Sequence, residues 1–282
     1  MEPLTAVFLI LLLLAVACRV WLLARQCARV RAERDRVPAA FAEVIPVAAH
    51  QKAGDYTIAH ARLGTVEAVL DAALLAAITW GGGLSAIDRW WRDWPLTGVW
   101  LGIAVILTLY FFIALAGWPL SLYRVFGIEA RFGFNRMTWK LYAGDLVKGL
   151  LLGLLLGVPL LAAILWLMHA GGTYWWLYAW LVWAGFSLLL AWAYPVFIAP
   201  LFNRFHPVSD AELAQRLESL VSRCGFASRG VFVMDGSRRS AHGNAYFTGV
   251  GAQKRIVLFD TLLERLSGAE VEAVLAHELG HF

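Results

Sequence analysis

Residues 146–168 read LVKGLLLGLLLGVPLLAAILWLM, a run whose single ionisable residue, Lys148, sits near its start. A helix needs about 20 predominantly apolar residues to cross the hydrocarbon core of a bilayer, and this run meets that length. Four others match it or come close: Leu4 to Leu23, Val66 to Ile87, Leu96 to Leu120 and Thr173 to Phe197. The fold class that follows is an α-helical multi-pass membrane protein with five transmembrane helices. Composition agrees, since 60% hydrophobic residues, 16% charged residues, 14 Trp and a mean hydropathy of +0.65 lie outside the range of a soluble domain.

The first apolar run also admits a signal-peptide reading, because Ala15-Val16-Ala17 resembles a small-residue cleavage site. Against it, no Lys or Arg precedes the run, where a signal peptide carries its positive region. Orientation follows from the connections. Ala24 to Thr65 carries Arg25, Arg29, Arg31, Arg34, Arg36, Lys52 and Arg62, and Ser121 to Asp145 carries Arg124, Arg131, Arg136 and Lys140. Asp88 to Pro95 has only Arg89 and Arg92, and His169 to Gly172 has none. The odd-numbered connections and the region after the fifth helix are therefore expected in the cytoplasm, with the N-terminus outside. The net charge of +4 is spread over these connections rather than gathered in one patch, which argues against a nucleic-acid partner. Cys18, Cys27 and Cys224 form no C-x-x-C pair, so neither a disulfide framework nor a cysteine metal site is implied.

The expected domains are a membrane region over 1–198 and a cytosolic α+β region over 199–282, where charged residues return at soluble density. Asp210 to Cys224 predicts an amphipathic helix, with Leu213, Leu217 and Leu220 at helical spacing, Ser209 as its N-cap and Gly225 as its end. Val231 to Met234 predicts a strand, while Asn244 to Thr248 and Ile256 to Phe259 predict a hairpin.

Ser267-Gly268-Ala269-Glu270 is a capping-box pattern ahead of Val271, Val274 and Leu275, so a helix starts here. It leads into His277-Glu278-Leu279-Gly280-His281, the H-E-x-x-H pattern. At 3.6 residues per turn His277 and His281 share a face and can ligate one zinc ion, with Glu278 beside them. Peptide hydrolysis needs a strong nucleophile at neutral pH, and zinc lowers the pKa of a bound water to about 7. Glu278 would accept that water's proton as general base and pass it to the leaving amine. Two histidines on an ordinary surface helix are the alternative, against which the apolar residues just before His277 argue.

The sequence resembles the type I CAAX prenyl endopeptidases. The resemblance is carried by Glu129-Ala130-Arg131-Phe132-Gly133-Phe134-Asn135-Arg136, by the stretch from Val233 through Asp235-Gly236-Ser237-Arg238-Arg239-Ser240-Ala241-His242-Gly243-Asn244 to Gly249, by Lys254 to Leu263 and by Ala276 to Phe282. It implies a membrane zinc metalloendopeptidase with about seven transmembrane helices, five of them in this chain, and a small cytosolic zincin-like catalytic region. It implies one zinc ion, a peptide or protein substrate prenylated at a C-terminal cysteine, and the lipid bilayer as partner. The compact loops point to a bacterial relative and its inner membrane, where an isoprenyl substrate is doubtful; a eukaryotic source would place it in the endoplasmic reticulum. The family's third zinc ligand, a downstream glutamate, is not in this chain, so a C-terminally truncated, incomplete enzyme is expected. A heat-shock-type quality-control zinc protease and a non-catalytic scaffold are the rivals; the Phe132 to Asn135 loop argues against the first and an intact Glu278 against the second.

A substrate strand would add alongside Asn244 to Thr248, with His242 or Asn244 near the scissile bond as electrostatic stabilisers. Turn chemistry explains Gly243-Asn244 equally well, and a loop-capping role suits His242 better. Asp235, Arg238 and Arg239 read as a structural polar loop. Glu67, Asp71 and Lys148 read as solvated near the interface. Trp175, Trp176, Trp180, Trp183 and Trp192 exceed an interfacial belt, so some are expected inside the bundle. Pro159 and Pro195 mark kinks or, for Pro195, a helix end.

Overall fold

Two of the apolar runs, Leu4 to Leu23 and 146–168, lie within single helices that overshoot them, because a helix satisfies its own backbone hydrogen bonds and can continue past the bilayer into polar sequence. The computed structural model describes residues 3–225, 230–248 and 255–280, apart from the side chain of Thr248. The chain divides into two units, Met1–Gly133 and Phe134–Phe282.

The first unit contains α1 (Pro3–Ala32), α2 (Val47–Thr79), α3 (Gly83–Arg92) and α4 (Gly98–Leu122), the last continued by a π-helical stretch, Tyr123–Glu129. Cys27 of α1 is buried with Ile58 and Ala61 of α2. Arg34 clamps Asp55 through two bonds of 2.9 and 2.8 Å. Glu129, at the end of the π stretch, accepts from Tyr56 Oη at 2.7 Å and lies 3.0 Å from His60 Nε2. The second predicted span is corrected here: α2 ends at Thr79, and a 51° bend separates it from α3. The cause is Gly81-Gly82-Gly83, in which Gly82 takes φ +77°, a left-handed conformation that side chains resist. Glu67 is not simply solvated, since it pairs with Arg124.

The second unit begins with α5 (Trp139–Ala170) and α6 (Trp175–Ala193). Thr138 caps α5 by accepting from Leu141 N at 3.2 Å. Pro195 does not end the helix: it lies in a π-helical turn, Tyr194–Ile198, that runs on into α7 (Ala199–Phe202). The five tryptophans expected partly inside the bundle all point outward, from 37% exposed at Trp175 to 60% at Trp180. In lipid an apolar face needs no protein cover, so burial is not forced on them. Four helical stretches of the described residues are long and apolar enough to cross a membrane, and the bent α2–α3 pair makes a fifth if it forms one span.

After α7 come β1 (Phe205–Pro207), α8 (Ala211–Arg223), β2 (Val231–Met234), β3 (Ala245–Thr248), β4 (Arg255–Phe259), α9 (Asp260–Leu263) and α10 (Gly268–Leu279). The sheet order is β1-β2-β4-β3, with β2 and β4 parallel and both outer pairs antiparallel. Ile256 and Leu258 from β4, Leu217 from α8 and Leu275 from α10 are fully buried together. Each such side chain contributes about 2 kcal/mol by leaving water. The N-cap of α8 is Asp210 rather than Ser209: its Oδ1 accepts from Glu212 N at 3.0 Å and Leu213 N at 3.1 Å. Gly225, at φ +73°, follows the helix end as expected.

Candidate active site

Helix α10 is placed by its own sequence. Ser267 N donates to Glu270 Oε2 at 2.7 Å, as the capping-box pattern predicted. A bond from Ser267 Oγ to the same carboxylate, with that backbone bond second, holds the Glu270 carboxyl below the ordinary carboxylate range. Val271, Leu275 and Leu279, four residues apart, are all buried and face the core. The opposite face is thereby turned out. His277 is exposed on it, and Glu278 is half-buried at its flank. His281 lies outside the described residues.

Imidazole donors beside a carboxylate are the donor chemistry of a zinc site. The described residues fit it in part: His277 is presented outward with Glu278 adjoining. Among the described residues no group of three or more His, Cys, Asp or Glu is placed to hold a metal ion.

Next to α10 runs β3, an outer strand of the sheet that among the described residues pairs only with β4. Phe259 N donates to Asn244 O at 2.9 Å, so residue 244 and then residue 246 face β4 in the hydrogen-bonded phase of the ladder. The backbone groups of Ala245 and Phe247 consequently turn to the outer side of the strand. Asn244 is exposed at the head of this strand, and its Oδ1 accepts from Ala245 N at 2.9 Å. Burial pushes the Tyr246 hydroxyl up to about 12, with Tyr194 a lesser cause, so it stays protonated and is no general base at neutral pH.

The loop that delivers Asn244 is held from several sides. Phe134 O accepts from Ala241 N at 2.9 Å, Asn135 bridges Ser240, and Arg136 N donates to Arg239 O at 3.1 Å. Two sequence segments that looked separately distinctive are thus one paired structure. His242 stacks on Phe134, with ring centroids 4.1 Å apart, and its carbonyl accepts from the buried Thr261 Oγ1 at 2.8 Å. Gly236 is required within this loop, since a Cβ there would meet the Phe259 ring at 2.5 Å.

The residue that sequence reasoning undervalued is Arg239. It forks onto Asp145 of α5 at 2.8 and 3.0 Å and donates at 2.7 Å to both Asn203 Oδ1 and Phe202 O. Asp145 and Asn203 sit far from Arg239 in sequence, and no local pattern signals their convergence.

Two family models match this chain. A family model described as "CAAX prenyl protease N-terminal, five membrane helices" matches residues 26–204. One described as "Peptidase family M48" matches residues 207–282. The chain is 43% identical over 185 residues to CAAX prenyl protease 1 homolog of Arabidopsis thaliana, covering 63% of this chain and 44% of that protein. It is 45% identical over 165 residues to CAAX prenyl protease 1 of Saccharomyces cerevisiae, covering 58% and 36%. The crystal structure of S. mikatae Ste24p superposes with a TM-score of 0.86 at 33% identity, covering 96% of this chain and 64% of that one. The chain thus spans less than half the length of the plant and yeast relatives it matches. Matched along nearly its whole length, it is a multi-pass integral membrane protein that belongs to peptidase family M48, with the five-helix CAAX prenyl protease region preceding the peptidase part.

Proposed function

We propose that the protein carrying this chain is a membrane-embedded zinc metalloendopeptidase that cleaves C-terminal CAAX sequences, with the catalytic side in the cytosol. The observation that carries the reading is that α10, which presents His277 outward with Glu278 at its flank, packs beside β3, the outer strand of the sheet among the described residues. His277 and His281 would hold the metal. Zinc, when bound, supplies Lewis-acid polarisation of the scissile carbonyl and of the attacking water. Glu278 takes the water's proton on a carboxylate oxygen and returns it to the leaving amide nitrogen. The substrate backbone runs extended along the outer side of β3, where Ala245 O accepts from it, a mode that supplies hydrogen bonds irrespective of side chain. Asn244 Oδ1 is already engaged, which leaves its amide nitrogen as a donor toward charge developing on the carbonyl oxygen. His242, stacked on Phe134, acts by shaping the approach to that strand. The names of the relatives support the CAAX class of substrate, and the basic odd-numbered connections support the cytosolic orientation.

The test uses the full-length gene product in detergent, with zinc content and cleavage of prenylated and unprenylated CAAX peptides measured together. Glu278→Gln is expected to keep one zinc per chain and to lose about 10²-fold or more in kcat. A wild-type protein that binds no zinc would sink the reading. A preference for unprenylated peptides would retain the peptidase and discard the prenylated substrate.

A further inference from the structure

Away from α10 and β3, an open cavity of about 330 Å³ lies beside the first turns of α5, lined by Thr138, Lys140, Gly144, Asp145, Lys148 and Arg238. Its charges do not cancel. Asp145 is taken by Arg239, and Arg238 pairs with Asp235 at 3.1 Å. Among the described residues neither Lys140 nor Lys148 has an ion-pair partner. Lys148 is nonetheless fixed, because its Nζ donates to Leu201 O at 2.8 Å and lies 5.9 Å from the centre of the Phe202 ring. Two positive charges are thus left to face the cavity. Gly144 borders the open space: a Cβ there would meet nothing within 4 Å.

The surface that continues from the cavity along α5 is apolar. Leu151 and Leu155, on the same helix face as Gly144 and Lys148, are 62% and 69% exposed, and Trp139, in the first turn, is 63% exposed as an interfacial aromatic would be. A cationic recess at the end of a membrane helix, continuous with exposed leucines, matches an amphiphile with an anionic head and hydrocarbon chains. A small anion would leave the leucine face unused, and a zwitterionic head would set its own cation against the lysines. We propose that this cavity is a binding site for an anionic phospholipid, with its phosphate against Lys140 and Lys148 and its chains along α5.

The experiment reconstitutes the full-length protein in nanodiscs of phosphatidylcholine and phosphatidylglycerol, then measures by mass spectrometry which lipid stays bound after extraction. Wild type is expected to retain phosphatidylglycerol in excess of its bulk share. Lys140→Gln, which removes one charge, lowers that enrichment about fivefold. Gly144→Leu, which fills the cavity without touching a charge and favours the helix, lowers it as well. Unchanged unfolding midpoints show that both variants are folded. Equal enrichment in wild type and both variants overturns the proposal. Displacement of the lipid by inorganic phosphate or glycerophosphate at equal concentration makes the cavity a free-anion site and also overturns it. Displacement by a peptide with a free C-terminal carboxylate, but not by its amide, assigns the cavity to substrate instead. Failure of all three competitors, together with loss in both variants, supports it.

Discussion

Arg239 is the residue on which the approach to β3 depends, because one guanidinium gathers a carboxylate of α5, the side chain of Asn203 and a backbone carbonyl. Its side chain and that of Asp145 are only 19% and 17% exposed, so removing one partner strands a poorly solvated charge. Arg239→Met is expected to cost about 3 kcal/mol in unfolding free energy, and Arg239→Met with Asp145→Leu to cost less than the single change. Denaturant unfolding of the detergent-solubilised protein checks both, and a double variant less stable than the single would show that the pair is not the anchor. Neither partner was legible in the sequence as more than a loop charge or a connection boundary. By contrast Glu278 and His277 were legible, since helical spacing relative to Leu275 and Leu279 already decides which face they occupy.

Two elements present the chemistry, and each has its own sensitivity. The cap of α10 is the first: Ser267→Ala is expected to destabilise by about 1 kcal/mol. Since the folded state holds the Glu270 carboxyl below its usual range, its contribution is present above the unfolded carboxylate pKa and is lost as pH falls through the lowered folded value. Glu270→Gln should therefore flatten the acid limb of a plot of unfolding midpoint against pH, while leaving the acceptor of the capping box in place. The edge of β3 is the second. A substrate peptide N-methylated at the nitrogen that donates to Ala245 O loses about fivefold in kcat/KM, from one hydrogen bond of about 1 kcal/mol. Methylation one residue along leaves the rate unchanged, and equal effects at both positions would exclude strand addition. The capping box could be predicted from the sequence alone because both its residues lie within one turn. The edge could not, because β3 is an edge only by virtue of β2 lying on the far side of β4.

For the molecule as a whole, orientation in the bilayer is the property most exposed to test. Cys224 closes α8 and is exposed, Cys18 lies inside the first apolar run, and Cys27 is buried. A membrane-impermeant maleimide is expected to label Cys224 in inverted vesicles and not in right-side-out ones, and the reverse pattern would invert the proposed topology. Family membership extends over both units of the chain, whereas the whole protein's activity is a property of a length this chain spans only in part.

The membrane class, the hairpin, the start of α10 and the face bearing His277 and Glu278 were determined by sequence, because hydropathy, capping and helical period act over a few neighbouring residues. The break between α2 and α3 was written in three consecutive glycines but read through, since hydropathy does not register backbone conformation. Tertiary structure alone decided the rest. It paired Phe134 to Arg136 with Arg239 to Ala241, fixed Arg239 on Asp145 and set β3 on the outside of the sheet. Those outcomes depend on which distant segments meet, and the energy that selects them, burial of Ile256, Leu258, Leu217 and Leu275 in one core, belongs to no single stretch of chain.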